Sequence, residues 1–199
     1  MQSAEVLRAG QGSAGKTVVV FFGMIASGKS TLGEAWAERH RAPYYNTDRV
    51  RKELAGLRPT DRRAEAAEQG IYAAGFTEKT YRTLLERAAA DFSRGEEMVV
   101  LDGSYGRRED REAVRRMAAL AGARCVFVLC TCREQEVRRR LALRARDPRA
   151  VSDGRWEIYL LQREGFELPD AAESADSLCL DTEQEIGVLL AGLGTELGL

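Results

Sequence analysis

The sequence predicts an α/β protein of the three-layer, doubly wound type, in which one parallel β-sheet lies between two layers of helices. Three observations support this fold class. Apolar runs of strand length alternate with longer stretches of helical periodicity along most of the chain. The strand-like runs are apolar at nearly every position, which is typical of strands buried on both faces of a parallel sheet. Right-handed crossovers between such strands place helices on both sides of the sheet.

The length and composition of the chain suit one soluble domain. Its 199 residues are enough for a single domain with a substantial core, and 44% of them are hydrophobic. The net charge of -1 provides no overall field that would attract nucleic acid or an anionic membrane. No segment has the length of a membrane span. Four cysteines without a C-x-x-C pair favour a reducing, cytoplasmic setting over a zinc site.

The predicted elements follow one another in a regular order. The apolar runs predict strands over 17–23, 43–46, 98–104, 124–130 and 177–182. Helical spacing predicts helices over 29–40, 77–94, 108–121, 133–145 and 154–166, and a short helix that begins near Asp48. A proline and several charged residues interrupt the helical pattern at 144–155, which we interpret as a mobile lid. We therefore expect a flexible leader over 1–16 and one domain over 17–199.

The most specific motif is "GMIASGKST", residues 23–31, which matches G-x-x-x-x-G-K-[ST]. A buried strand precedes it and an amphipathic helix follows it, which is the setting that a phosphate-binding loop requires. The glycines allow backbone N–H groups to point at phosphate oxygens, and the helix N-terminus adds partial positive charge. Lys29 would bridge the β- and γ-phosphates, and the Ser30 hydroxyl would ligate Mg²⁺. The alternative is a strand-to-helix turn with an incidental Lys-Ser.

Two acidic positions distinguish between the possible uses of such a loop. Asp102 ends the strand 98–104 without a neighbouring carboxylate that could activate water, and no guanine-reading N-K-x-D occurs. Asp48 follows the second strand, with Arg51 one helical turn further on. A carboxylate and a guanidinium on one face could accept a hydroxyl proton and steady the moving phosphate charge. Helix capping by Asp102, or by Asp48 with a surface ion pair to Arg51, is the structural alternative.

A cluster of arginines precedes the predicted lid. Arg140 and Arg144 are four residues apart and share a helix face, while Val137 and Leu141 face the core. Cations of this kind can meet the γ-phosphate when a lid closes over ATP and excludes water. A solvated basic face is the alternative interpretation.

The segments "GMIASGKST", "NTDRVR", "VVLDGSYGRR" and "RLALR" occur in the order found in small P-loop kinases of the adenylate-kinase-like class. The chain resembles in particular the AAA-33-type predicted kinases related to the kinase domain of polynucleotide 5′-kinase. The resemblance spans about residues 17–182, and the P-loop is its most specific part. It implies a five-stranded parallel sheet in the order 2-3-1-4-5. It also implies that ATP and Mg²⁺ are the cofactors.

The resemblance also implies roles for individual residues. Asp48 would be the general base and would act with Lys29, Arg51 and Arg144 as the catalytic set. Ser30 and Asp102 would hold the metal. The nucleotide would be bound by residues of the loop and the lid side, namely Ala26, Ser27, Gly28, Lys29, Ser30, Thr31, Arg140 and Arg144.

The acceptor side is less well defined. Asp48, Arg51, Tyr105 and Arg107 are the candidate acceptor contacts, because glycines around Tyr105 allow close approach of the backbone and Arg107 can contact acceptor charge. For Tyr105 the alternative is ordinary core packing. A domain fused to this one is compatible with the leader.

Three functions are therefore open. The leading hypothesis is an ATP- and Mg²⁺-dependent kinase whose acceptor is a hydroxyl of a small molecule. A polynucleotide 5′-hydroxyl kinase shares the chemistry, but the net charge does not favour it. A regulatory domain that binds nucleotide and hydrolyses it slowly belongs to another class.

Overall fold

The computed structural model describes residues 15–61, 70–147 and 155–199. Five strands form one parallel sheet in the order β2-β3-β1-β4-β5. They are β1 (Thr17–Phe22), β2 (Tyr44–Asn46), β3 (Met98–Gly103), β4 (Arg124–Thr131) and β5 (Ser177–Asp181). The sheet confirms the predicted α/β class, and its order is the one that the family resemblance implied.

Seven α-helices lie between and after the strands in the described residues. They are α1 (Lys29–His40), α2 (Thr47–Leu54), α3 (Ala74–Ser93), α4 (Arg108–Leu120), α5 (Glu134–Arg146), α6 (Trp156–Gly165) and α7 (Ile186–Leu197). Two 3₁₀ helices cover Gly70–Tyr72 and Ala171–Asp176. The helix α7 was not among the predicted elements. Among the described residues, none of the helices combines the length and apolar character that crossing a bilayer would require.

The helix α5 ends at residue 146, one residue beyond the predicted end at 145 and within the start of the predicted lid. The largest difference at a predicted helix end is at α3, which begins at Ala74 and not at residue 77. Residues 148–154, which form most of the predicted lid, lie outside the described residues, as do residues 1–14 of the predicted leader. The lid and the leader therefore stay predictions.

Side chains that alternate along β1 enter two separate core layers. Val18, Val20 and Phe22 pack against the side of the sheet that α3 and α4 cover. Val19 and Phe21 pack on the other side with α1 and α7, where Trp36 is fully buried. This alternation follows from the two-residue period of a strand, and it explains why β1 is apolar throughout.

A third, smaller cluster joins the loop after β1 to the helices α5 and α6. Ile25 packs with Val137, Leu141 and Tyr159. The backbone N–H of Ile25 also donates a hydrogen bond to Oε1 of Gln162 in α6, at 2.7 Å. The two helices that flank the predicted lid are thus attached directly to the loop between β1 and α1.

Candidate active site

The loop between β1 and α1 adopts left-handed backbone angles at three positions. The φ angle is 143° at Gly23, 59° at Ala26 and 91° at Gly28. Within the described part of the chain no side chain caps the N-terminus of α1, so the first amides of this helix are available to an anion. Nζ of Lys29 donates a hydrogen bond to the carbonyl oxygen of Met24 at 3.2 Å, which holds the ammonium group beside the loop. These features fit a phosphate group.

Close contacts require glycine at two positions of the loop. A Cβ atom on Gly23 would lie 2.5 Å from the carbonyl oxygen of Cys130. A Cβ atom on Gly28 would lie 2.7 Å from the hydroxyl oxygen of Thr182. Both glycines also have φ angles that other residues rarely adopt. The ends of β4 and β5 therefore shape the loop as much as its own sequence does.

Thr182 and Arg140 support the loop from outside the motif. The hydroxyl of Thr182 donates to the carbonyl oxygen of Ser27 at 2.6 Å and accepts from Nη1 of Arg140 at 2.9 Å. Arg140 also donates to the carbonyl oxygen of Ala26 at 3.2 Å and forms an ion pair with Glu136 at 2.8 Å. In this structure Arg140 binds the loop itself.

The carboxylate of Asp102 is fully buried at the end of β3, with an exposed fraction of 0%. Its Oδ2 atom accepts hydrogen bonds from the hydroxyl of Tyr44 at 2.6 Å and from the side-chain amide of Asn46 at 2.5 Å. Burial and the neighbouring carboxylate raise the pKa of Tyr44 well above its usual range, so the phenol stays protonated and donates. The Oδ1 atom has no hydrogen-bond partner among the described residues.

An unpartnered, buried carboxylate oxygen fits a hard cation, because Mg²⁺ prefers oxygen ligands and is usually held by one or two carboxylates together with substrate phosphates. Asp102 pairs in register with Phe21, which is one residue before the end of β1. Asp102 therefore lies at the sheet edge from which the loop leads to Ser30. No group of three or more His, Cys, Asp or Glu side chains in the described ranges could hold a metal alone. Asp102 and Ser30 therefore suit a metal that arrives with a nucleotide.

Asp48 and Arg51 lie on α2, beside this edge. The N-cap of α2 is Asn46, whose side chain accepts from the N–H of Arg49 at 3.0 Å, so Asp48 is not the cap. Nη1 of Arg51 lies 4.0 Å from Oδ1 of Asp48. The side chain of Asp48 is therefore partly exposed, and its ion pair with Arg51 is a long one.

The guanidinium of Arg51 is nearly buried, with an exposed fraction of 7%. It lies over the ring of Tyr72 at 4.9 Å from the centroid and donates to the hydroxyl of Thr77 at 3.4 Å. Its Nε has no partner within the described residues. A cation with spare donors beside Asp48 could bind an anionic or hydroxyl group of a ligand.

Arg144 lies one helical turn beyond Arg140 on α5. Burial lowers the pKa of its guanidinium, whereas Asp48 and Asp102 raise it and Arg140 lowers it. The group remains charged at neutral pH, because arginine loses its proton only at very high pH. These mutual effects show that Arg144 lies within electrostatic reach of both carboxylates. The structure thus brings together most of the residues predicted for the site.

One predicted acceptor contact, Tyr105, is contradicted by its burial, whereas Arg107 stays a prediction. Tyr105 has an exposed fraction of 0% and packs in the core with its ring 4.8 Å from that of Tyr81, so it offers no surface to an acceptor. Arg107 is exposed, pairs with Glu109 at 3.1 Å and borders a surface cavity of about 520 Å³ with Glu167. Tyr105 therefore packs in the core, the alternative given for it above, because the turn after β3 directs its ring inward.

Four residues that contact the site were not among the predicted site residues, namely Tyr44, Asn46, Thr182 and Gln162. Tyr44 lies two residues before Asn46, which places both side chains on one face of β2. Thr182 directly follows β5, so its place at the same sheet edge could have indicated it. No sequence signal indicates Gln162, because its contact with Ile25 joins residues that are 137 positions apart.

The strand–loop–helix cradle and the sheet order define a P-loop protein with the kinase fold of the adenylate-kinase-like class. The family model AAA_33, described as an AAA domain, matches residues 18–169. The chain belongs to this family.

Several known proteins are similar to the chain. A shikimate kinase of Symbiobacterium thermophilum is 33% identical over 100 residues, which are 49% of this chain and 52% of that protein. The match thus spans about half the length of this curated relative. The fold of a sugar kinase from Janibacter superposes with a TM-score of 0.67 at 18% identity, covering 92% of this chain and 95% of that one. The Mycobacterium tuberculosis APS kinase, solved with AMPPNP and APS, gives 0.62 at 20% identity, covering 93% and 98%.

Proposed function

We propose that the protein is an ATP- and Mg²⁺-dependent phosphotransferase that moves the γ-phosphoryl group to a hydroxyl of a small molecule. The observation that carries this proposal is the position of Asp48. It is a partly exposed carboxylate 4.0 Å from Arg51, and it lies at the sheet edge that also holds the P-loop and Asp102. A nucleotide switch would have no need for such a pair beside its phosphates.

Each group has a defined task in this proposal. The loop amides and Lys29 bind the phosphates of ATP, and Ser30 and Asp102 hold the metal, which supplies charge neutralisation when bound. Asp48 accepts the proton of the acceptor hydroxyl. Arg51 orients the acceptor, and Arg144 stabilises charge on the transferred group.

The acceptor is a small molecule in this proposal. The names of the relatives include a shikimate kinase and a sugar kinase, whose substrates carry hydroxyl groups. A polynucleotide acceptor has less support, because the net charge of -1 does not favour contacts with several phosphates. The exposed Arg58 is in addition paired with Asp61 at 2.9 Å. The four cysteines are free, which is compatible with a reducing cytoplasm.

The first test identifies the acceptor and then removes the base. A metabolite pool and a short 5′-hydroxyl oligonucleotide are incubated with γ-labelled ATP, and the labelled product is isolated. With that acceptor, we expect Asp48→Asn to lower kcat by about 10²- to 10⁴-fold, because general base catalysis contributes this much. The KM for ATP should change little.

The variant Glu34→Gln is the matched control. It removes an exposed carboxylate that forms an ion pair with Arg49, the residue that follows Asp48 in α2. Its kcat should equal that of the wild type. Full activity of Asp48→Asn would show that another group takes the proton. Phosphate release from ATP without any labelled acceptor would instead favour the slow-hydrolysing regulatory domain.

A further inference from the structure

Two residues of the short strand β2 control the orientation of Asp102. The hydroxyl of Tyr44 and the side-chain amide of Asn46 both donate to Oδ2, at 2.6 and 2.5 Å. Both side chains lie on one face of the strand because they are two positions apart. With two donors on one oxygen, the carboxylate cannot rotate freely, and Oδ1 is its one oxygen without a hydrogen-bond partner in the described ranges.

Asn46 uses both ends of its side-chain amide. Its Oδ1 atom accepts from the N–H of Arg49 at 3.0 Å and so caps α2, while its Nδ2 atom donates to Asp102. Aspartate or serine could also cap the helix, but neither could make this donation in the same geometry. Asn46 therefore connects the helix that carries Asp48 to the carboxylate at the end of β3.

We propose that Tyr44 and Asn46 are positioning residues that orient Asp102 so that its Oδ1 is presented to the metal of the bound nucleotide. Asn46 in addition keeps α2 in register with that carboxylate. This inference rests on the proposed function only in taking Asp102 as a metal ligand. It does not depend on the identity of the acceptor or on phosphoryl transfer.

The adjacent residue of β2 offers an internal comparison. Tyr45 donates to Oδ2 of Asp91 at 2.6 Å, the same distance that joins Tyr44 to Asp102. The other oxygen of Asp91 is bound by Arg94, so that carboxylate is complete within the chain. Two tyrosines of one strand thus make the same bond to two buried carboxylates, and only one of these carboxylates has an oxygen left over.

The experiment measures the affinity for ADP by calorimetry, once in excess Mg²⁺ and once in excess EDTA. The ratio of the two dissociation constants reports the contribution of the metal. We expect Tyr44→Phe and Asn46→Ser each to reduce this ratio by about tenfold or more, because groups that orient metal ligands have effects of this size. The affinity for ADP in EDTA should stay at the wild-type value.

Two further variants make the result decisive. Tyr45→Phe should lower thermal stability about as much as Tyr44→Phe but leave the ratio unchanged, which separates positioning from general loosening of β2. Asp102→Asn should remove most of the metal contribution and so sets the scale. If Tyr44→Phe keeps the full ratio while Asp102→Asn loses it, the positioning role is wrong and the metal ligand stands. If Asp102→Asn also keeps it, the metal assignment and this inference both fail.

Discussion

Two buried carboxylates of this protein differ in how their charge is compensated. Glu173, with an exposed fraction of 4%, receives two parallel hydrogen bonds from Arg111, at 2.8 and 2.7 Å, and a third from Arg115 at 2.8 Å. Asp102 is buried even more completely, yet its two donors are neutral and both bind the same oxygen. The charge of Glu173 is compensated by two arginines that bind it directly, whereas the direct hydrogen-bond donors of Asp102 are neutral.

This difference separates a structural ion pair from a binding group. Glu173 and Arg111 join the 3₁₀ helix Ala171–Asp176 to α4, and Arg111 also donates to the carbonyl oxygens of Tyr105 and Glu167. These bonds hold the turn after β3 in place. Asp102 accepts hydrogen bonds only from neutral groups and only at Oδ2, and its Oδ1 has no hydrogen-bond partner among the described residues. This open oxygen is the basis of the metal-binding role proposed for Asp102.

The largest effect on stability is expected from replacing Glu173, whose two carboxylate oxygens both accept hydrogen bonds from arginines. We expect Glu173→Gln to lower the free energy of unfolding by about 3–5 kcal/mol, because it leaves the buried charge of Arg111 uncompensated. Urea denaturation measures this change. The control is Glu53→Gln, since Glu53 forms a comparable two-bond pair with Arg87 in an exposed position. Its loss should stay below about 1 kcal/mol, and equal losses would contradict the assigned role of burial.

At Asp102, whose Oδ1 has no hydrogen-bond partner among the described residues, we expect a loss of activity without a loss of stability. Asp102→Asn should lower kcat by about 10²-fold, about 2.7 kcal/mol in activation free energy, while the free energy of unfolding does not fall. The asparagine oxygen can still accept from Tyr44 and Asn46, and the buried charge is gone. Asp91→Asn, which disrupts a complete carboxylate, should instead lower stability and leave kcat unchanged. A loss of stability in Asp102→Asn as large as that in Asp91→Asn would make Asp102 structural.

The last expected effect is a loss of the stability that Glu173 contributes when the pH is lowered. The two hydrogen bonds from Arg111, more than the one from Arg115, lower the pKa of Glu173 from its ordinary 4.5 to about 2. Because the pKa is lower in the folded state, the contribution of Glu173 to stability is complete above about pH 4.5 and is lost as the pH falls towards about 2. The stability difference between wild type and Glu173→Gln should therefore narrow below about pH 4.5 in urea denaturation. A difference that does not change with pH would contradict the lowered pKa.

The strands and the phosphate-binding loop could be predicted because their signals are local. The loop needs glycine, lysine and serine at set spacings after a buried strand. Five apolar runs predicted the five strands to within one residue at each end. Asp48, Arg51 and Asp102 could be placed at one edge because parallel strands end together. The predicted helix 133–145 differs from α5 by one residue at each end, which is the usual uncertainty of a helix end.

The sequence by itself thus determined the fold class, the cradle and the chemical types of the groups around it. Only the tertiary structure decided which buried groups have all their hydrogen-bond partners within the chain and which have an atom available to a ligand. Tyr105 looked available from its glycine-rich surroundings and is buried, whereas Tyr44 carried no motif and contacts the central carboxylate 58 positions away. Hydrogen bonds between distant strands depend on register and burial, and these arise only when the sheet and its helices have packed together.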